Sequence, residues 1–246
     1  MLIDLSLCSS QVAELQNIVI PEMSGSEQAA FTHFSRNLKS RTNYKPQNPK
    51  MKDMVYYLLA EKCYTNSISG SLVTLPAERV RSIAHFLFPF IQGHTVHWFE
   101  KQARQEAWWY NRILQSIQDS KIDFRYYPEW RADVITSGIE PISIFDLDFM
   151  SNLKLESKAK MRKTLTGVRI AKFVRKNMAR NSILNLTTAV GRGVTIDEYE
   201  NESIPELLLA LEEEAHIIQH DRIKYKAREG RGGFPMRVEQ LVIEAF

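Results

Sequence analysis

The sequence predicts an α/β protein: a doubly wound, mostly parallel sheet with a C-terminal antiparallel hairpin, preceded by a partly helical N-terminal extension. Three observations predict it. Residues 141–193 read as strand, basic helix, strand and Gly191-Arg-Gly193 turn, the spacing of a βαβ unit with parallel strands. From Gly70 onward, short β-rich runs alternate with helical patterns. Finally, Ala215 to Arg228 and Met236 to Ala245 are strand patterns joined by the glycine-rich turn Glu229–Pro235, an antiparallel pair that closes a mixed sheet.

The elements follow in order. In the extension, residues 1–50, Gln11 to Asn17 reads as a short helix and Pro21 interrupts. Glu27 to Leu38 is helical, with Ala30, Phe31, Phe34 and Leu38 at helical spacing. Arg41 to Lys50 carries two prolines and is expected to be extended or turned. The domain proper spans 51–246. Lys52 to Cys63 is its first helix, with Met54, Tyr57, Leu58 and Glu61 on one side. Ser71 to Leu75 is a strand ended by Pro76, and Ala77 to Ile91 an apolar helix stopped by Gly93. Thr95 to Phe99 is the next strand and ends in Glu100; Gln105 to Ile117 is helical; Ile122 to Tyr127 is a third strand. Pro141 to Met150 is the fourth, a helix is expected from Ser157 to Ala179, and Ser182 to Thr187 is the fifth strand. Ile204 to Glu214 is an acidic helix with Leu207, Leu208 and Leu211 as its apolar stripe.

Composition sets the broad class. With 44% hydrophobic and 25% charged residues the 246-residue chain is a globular protein rather than a disordered one. No apolar run approaches the roughly 18–20 residues that span a bilayer, and Met1 to Leu5 lacks the form of a secretion signal. Cys8 and Cys63 suit two thiols in a reducing, cytoplasmic setting.

The net charge of +3 hides an asymmetry. Lys154 to Arg180 holds ten Lys/Arg against one acid, Glu156, whereas Asp197 to Glu214 holds eight acids and no Lys/Arg. The two blocks can pair in the fold, or the basic block can attract nucleic acid. Along the basic helix Met161, Leu165, Val168, Ala171, Val174 and Met178 form an apolar stripe. Arg162, Arg169, Lys172, Lys176 and Arg180 lie off it, as candidate nucleic-acid contacts.

Candidate chemistry centres on Asp146 and Asp148. They alternate with Phe145, Leu147 and Phe149, so both carboxylates share one face of a strand, about 7 Å apart. Such a pair can serve as a base or hold a divalent ion, or can simply bond loop amides and cap a turn. At the carboxyl end of a parallel strand they stand where open α/β sheets bind ligands. His216 and His220 are four apart: on a helix they could share a metal, but the stretch reads as a strand, which sets them about 13 Å apart and too far for one ion. No metal site is assigned. Trp108, Trp109 and Tyr110 read as core and interface, or as a stacking platform for bases. Arg228 and Arg231 belong to the hairpin loop, which is read as a simple turn or as a phosphate contact.

Five strand–helix steps and a closing hairpin resemble the Rossmann-like S-adenosylmethionine-dependent methyltransferases, over roughly residues 50–246. The resemblance implies S-adenosylmethionine as cofactor, with Glu100 on its ribose and Asp146 and Asp148 near cofactor and substrate. It places Thr74, Leu75 and Pro76 in the cofactor loop. Here the chain departs from the family: Thr74-Leu-Pro-Ala-Glu-Arg79 contains no glycine where that family has a Gly-rich loop. The expected activity is methyl transfer to nucleic acid. Two alternatives stand beside it: a cofactor-free binding or assembly module of the same fold, and a metal-dependent nuclease or phosphotransferase using Asp146 and Asp148. The small size and lack of a clean motif suit a viral or mobile-element protein.

Overall fold

The computed structural model describes residues 2–4, 49–75, 86–99, 121–127, 141–149, 151–159, 164–191, 193–226 and 235–246. The strands are β1 (Leu2–Asp4), β2 (Ser71–Thr74), β3 (Thr95–Phe99), β4 (Asp123–Tyr127), β5 (Ile142–Asp148), β6 (Met178–Ala189), β7 (Ala215–Lys226) and β8 (Pro235–Ala245). They form one sheet in the order β1-β7-β8-β6-β5-β2-β3-β4. Every pairing is parallel except those of β8 with β6 and β7, so the doubly wound sheet with its closing hairpin is as the sequence predicts.

The expected strand runs fall within a few residues of the observed ones, with two exceptions. β6 begins at Met178, not Ser182, because Met178 pairs with Ile142 at the foot of β5. β1 was not expected at all. Three residues carry little local signal, and Leu2–Asp4 gains its strand form from β7, through Leu2↔Arg222 to Asp4↔Lys224. Part of the expected extension therefore belongs to the sheet.

The helices divide between two faces. On the front lies α1 (Pro49–Thr65), joined by α2 (Phe88–Ile91), the described end of the apolar helix expected from Ala77. α1 begins inside the stretch expected to be extended, since proline is compatible with a helix's first turn. It buries more than the expected stripe: Val55, Tyr56, Leu59, Ala60 and Cys63 join Met54 and Leu58 in the core. Burial pushes the Cys63 thiol up, out of the thiolate range.

On the back lie α3 (Gly167–Asn177) and α4 (Ile204–Glu212), the latter entered through short turns at Ile196–Glu198 and Tyr199–Ser203. The basic helix is thus much shorter than expected. Thr166 caps its start by accepting from the Arg169 N–H, and Glu156–Lys158 forms a separate 3₁₀ turn. Gly167 permits the crossing with α4: a Cβ there would lie 2.9 Å from the Leu207 backbone nitrogen. The buried stripe is Ile170, Ala171, Phe173 and Val174, while Leu165, Val168 and Met178 are only partly buried and Met161 lies outside the described residues.

The expected helices at Gln11–Asn17, Glu27–Leu38 and Gln105–Ile117, the aromatic run 108–110, and Arg228 and Arg231 also lie outside the described residues. Among the described residues no helix is long and apolar enough to cross a membrane.

Candidate functional site

Residues at one level across the sheet place a polar row on the front face. Thr74 pairs with Asp146, Asp146 with Asn185, Asn185 with Gln240, and Gln240 with Asp221. All five side chains are buried. Apolar residues occupy the next front-face level toward the amino edge, where Leu72, Ile144, Ile183 and Val242 pack in one cluster.

Asp146 is the hub of this row. Its Oδ2 accepts from the Tyr56 hydroxyl at 2.7 Å and the Thr74 hydroxyl at 2.8 Å, and its Oδ1 accepts from the Asn185 amide at 2.7 Å. Gln240 Nε2 then donates to Asn185 Oδ1 at 3.1 Å and to the Val55 carbonyl at 3.0 Å. Helix α1 is thereby bonded to the sheet through Val55 and Tyr56. Burial pushes the Asp146 carboxyl above its ordinary value, only partly opposed by the hydrogen bonds from Tyr56, Asn185 and Thr74; the nearby Asp148 charge adds to the rise.

Two ion pairs flank the hub. Lys52, from the first turn of α1, pairs with Asp148 at the end of β5. Lys62, from its last turn, pairs with Asp221 at 2.9 Å. Burial raises the Asp221 carboxyl, but the groups led by Lys62 outweigh it, and the carboxyl stays below its ordinary value. Helix α1 thus lies obliquely across β5, β6, β8 and β7, tied at both ends by buried lysines.

Asp146 and Asp148 do share a face, but the face is covered. Asp146 is fully buried two residues inside the strand end, and Asp148 meets an ammonium group. Thr74 turns its hydroxyl to Asp146, and the Leu75 N–H bonds the Asp146 carbonyl at 3.1 Å, extending the ladder by one bond. Pro76 and Glu100 lie outside the described residues. Sequence reasoning missed Lys52, Tyr56, Asn185 and Gln240. Two lysines ten apart in an apolar helix were the available signal, together with an Asn in the middle of an apolar strand.

The back face carries a second polar cluster. Buried Glu239 accepts from the Tyr199 hydroxyl at 3.2 Å, and Arg222 Nε and His220 Nε2 flank its other oxygen. Thr188 donates to the Tyr199 oxygen at 3.1 Å. The basic and acidic blocks partly neutralise each other: Lys158 meets Glu198 at 2.7 Å, and Arg175 meets Glu213 and Glu214. Arg169 is held by Glu156 at 2.8 Å, and Arg180, 84% exposed, lies 3.6 Å from Glu244. Lys172 and Lys176 are exposed. Arg162 lies outside the described residues.

The strand order matters for ligand binding. β2 leads outward to β3 and β4, whereas β5 leads the other way to β6, so the winding reverses between β2 and β5. In open α/β sheets ligands bind outside the carboxyl ends of strands at such a switch point. Without β1, the order from β4 to β7 and the single antiparallel strand between β6 and β7 define one topology. The chain has a methyltransferase fold. It is similar to M. jannaschii TYW2 in complex with AdoMet, at 9% identity and a TM-score of 0.51, over 84% of this chain and 80% of that chain. It is also similar to a putative class I S-adenosylmethionine-dependent methyltransferase from Listeria monocytogenes, at 10% identity and a TM-score of 0.50, over 94% of this chain and 70% of that chain. At these identities the likeness is one of fold. No protein-family model matches the sequence. No curated protein matches it either.

Proposed function

We propose that this methyltransferase-fold protein binds S-adenosylmethionine and transfers its methyl group to nucleic acid. The observation that carries the reading is the switch point between β2 and β5, with Thr74, Leu75, Asp146 and Asp148 at its carboxyl edge. The described side chains do not themselves fit the cofactor. The Thr74 hydroxyl and Leu75 N–H are engaged within the sheet, so in this reading the cofactor's partners are Pro76, next in sequence after Leu75, and Glu100, next after β3. In this reading Asp146 is a positioning residue. It holds the ends of β2, β5 and β6 in register under Tyr56, and Asp148 is the acid nearest the edge.

The nucleic-acid part rests on charge: after the basic and acidic blocks have paired, cations remain exposed on two surfaces, Lys172, Lys176 and Arg180 along and just beyond α3, and Lys226 at the end of β7. One observation favours a second reading, a cofactor-free binding module. Both oxygens of Asp146 and the Thr74 hydroxyl are satisfied within the protein, and the loop after β2 has no glycine. The nuclease or phosphotransferase reading gains no ligand set: among the described residues no group of three or more His, Cys, Asp or Glu side chains gathers.

Thermal unfolding with S-adenosylmethionine and S-adenosylhomocysteine separates the first two readings. A ligand that binds the native state at about 100 times its dissociation constant stabilises by about 2.7 kcal/mol, a shift of several degrees. No shift at millimolar concentration with either compound sinks the cofactor reading and leaves the module.

A further inference from the structure

We propose that the carboxyl-edge half of β7 is a track for the phosphodiester backbone of a nucleic acid, formed by Arg222, Lys224 and Lys226. This rests on the nucleic-acid reading above and moves its contact surface from the basic helix to the hairpin. Strand alternation puts the three cations on the back face at two-residue steps, about 7 Å apart. Asp221, Ile223 and Tyr225 point the other way, into the buried face. Lys226 is exposed, and Lys224 and Arg222 are half-buried.

Height along the strands decides between the two cationic surfaces. Asp148, the last residue of β5, is level with Thr187, Val238 and Ile223. Lys224 and Lys226 therefore stand above the end of β5, beside the space where the fold receives ligands. They are three strand spacings away, about 14 Å. The cations of α3 run the other way. The helix descends from Gly167 to Asn177, and Met178 pairs with Ile142 at the foot of β5. Lys176 and Arg180 thus lie at the amino edge, across the sheet from the crevice.

The acids near the β7 track, among the described residues, are mostly engaged. Glu239 is buried and shared by Tyr199, His220 and Arg222, and Glu200 is held by Arg237 at 3.2 Å. Asp4 stands at the register position beside Lys224. Arg222, Lys224 and Lys226 all have interactions within the protein, and a phosphate chain would compete for them, so binding is expected to be strongly salt-dependent.

The test is fluorescence anisotropy with labelled single-stranded RNA and DNA of about 20 nucleotides, between about 50 and 200 mM salt. The Arg222→Gln/Lys224→Gln/Lys226→Gln variant is expected to bind more than about tenfold more weakly, with the slope of log affinity against log salt reduced by about 2 to 3. Arg222 touches buried Glu239, so the Lys224→Glu/Lys226→Glu variant, which spares it, serves as a second probe if the first melts early. The Lys172→Glu/Lys176→Glu/Arg180→Glu variant is expected to bind like the parent, within about threefold. Loss of binding with that variant alone, or no loss with either β7 variant, overturns the proposal. Absence of binding by the parent protein overturns it too. Stabilisation by S-adenosylhomocysteine in the same samples then shows whether the cofactor reading survives.

Discussion

Asp146 and Asp221 lie at the same level of the same sheet, both buried and both beneath helix α1, yet their acidities move in opposite directions. Asp146 receives three hydrogen bonds from neutral donors, and burial still wins. Asp221 accepts the neutral amide of Gln219 but also receives cationic donors led by the Lys62 ammonium, and their hydrogen bonds and charge outweigh burial. Neutral donors satisfy a carboxylate's geometry. They do not supply the countercharge that replaces its lost hydration.

The strongest way to break this contrast is to remove the ammonium. Lys62→Met should leave Asp221 buried without its main partner and destabilise the fold by about 3–5 kcal/mol in urea unfolding. The Lys62→Met/Asp221→Leu pair should recover most of that loss; no recovery would mean that Lys62 acts through packing rather than charge. Asp146→Ala comes next. It leaves Tyr56, Thr74 and Asn185 without their shared acceptor and should lower stability by about 3 kcal/mol. Tyr56→Phe deletes one of the three donors and should cost about 1 kcal/mol.

The pH dependence separates the two acids by sign. Asp146 titrates higher in the folded state, so its contribution is full below its unfolded value and falls as pH rises through the folded one. Asp221 titrates lower when folded, so its contribution is present above the unfolded value and lost as pH drops through the folded one. Urea unfolding across the acid range should therefore show Asp221→Asn flattening the low-pH loss. Asp146→Asn should flatten the decline above about pH 4. The same sign for both variants would refute the contrast. The solvent limit is the Arg169–Glu156 pair, about a third exposed on each side. Arg169→Ala should change stability by no more than about 0.5 kcal/mol.

Much of this architecture was legible because it is written locally. Alternation marks β5, the β6–α4–β7 order follows from period changes, and a glycine-rich sequence separates β7 from β8. The acidic pair could be placed at the ligand edge for the same reason. What could not be read depends on distant partners. Nothing near Asp146 announces Tyr56, 90 residues earlier, or Thr74, 72 earlier. The expected start of α3 lies too early because the charged run before Gly167 has helical composition, while the cap at Thr166 and the bonds that Thr166 and Arg169 donate to Glu156 decide the boundary. Leu2–Asp4 is a strand only because β7 offers it an edge.

The position of β8 has a consequence for synthesis. It follows β7 in the chain, yet it sits between β6 and β7, and β7 in turn carries β1. Until residues 235–246 are available, β7 and β1 have no route into the sheet except as a detached pair. The nascent protein must therefore wait, with the flank of β6 open, until β8 emerges and slots into the gap. A chain stopped just short of β8 would release two unconnected sheets, the state in which exposed strand edges find the wrong neighbours.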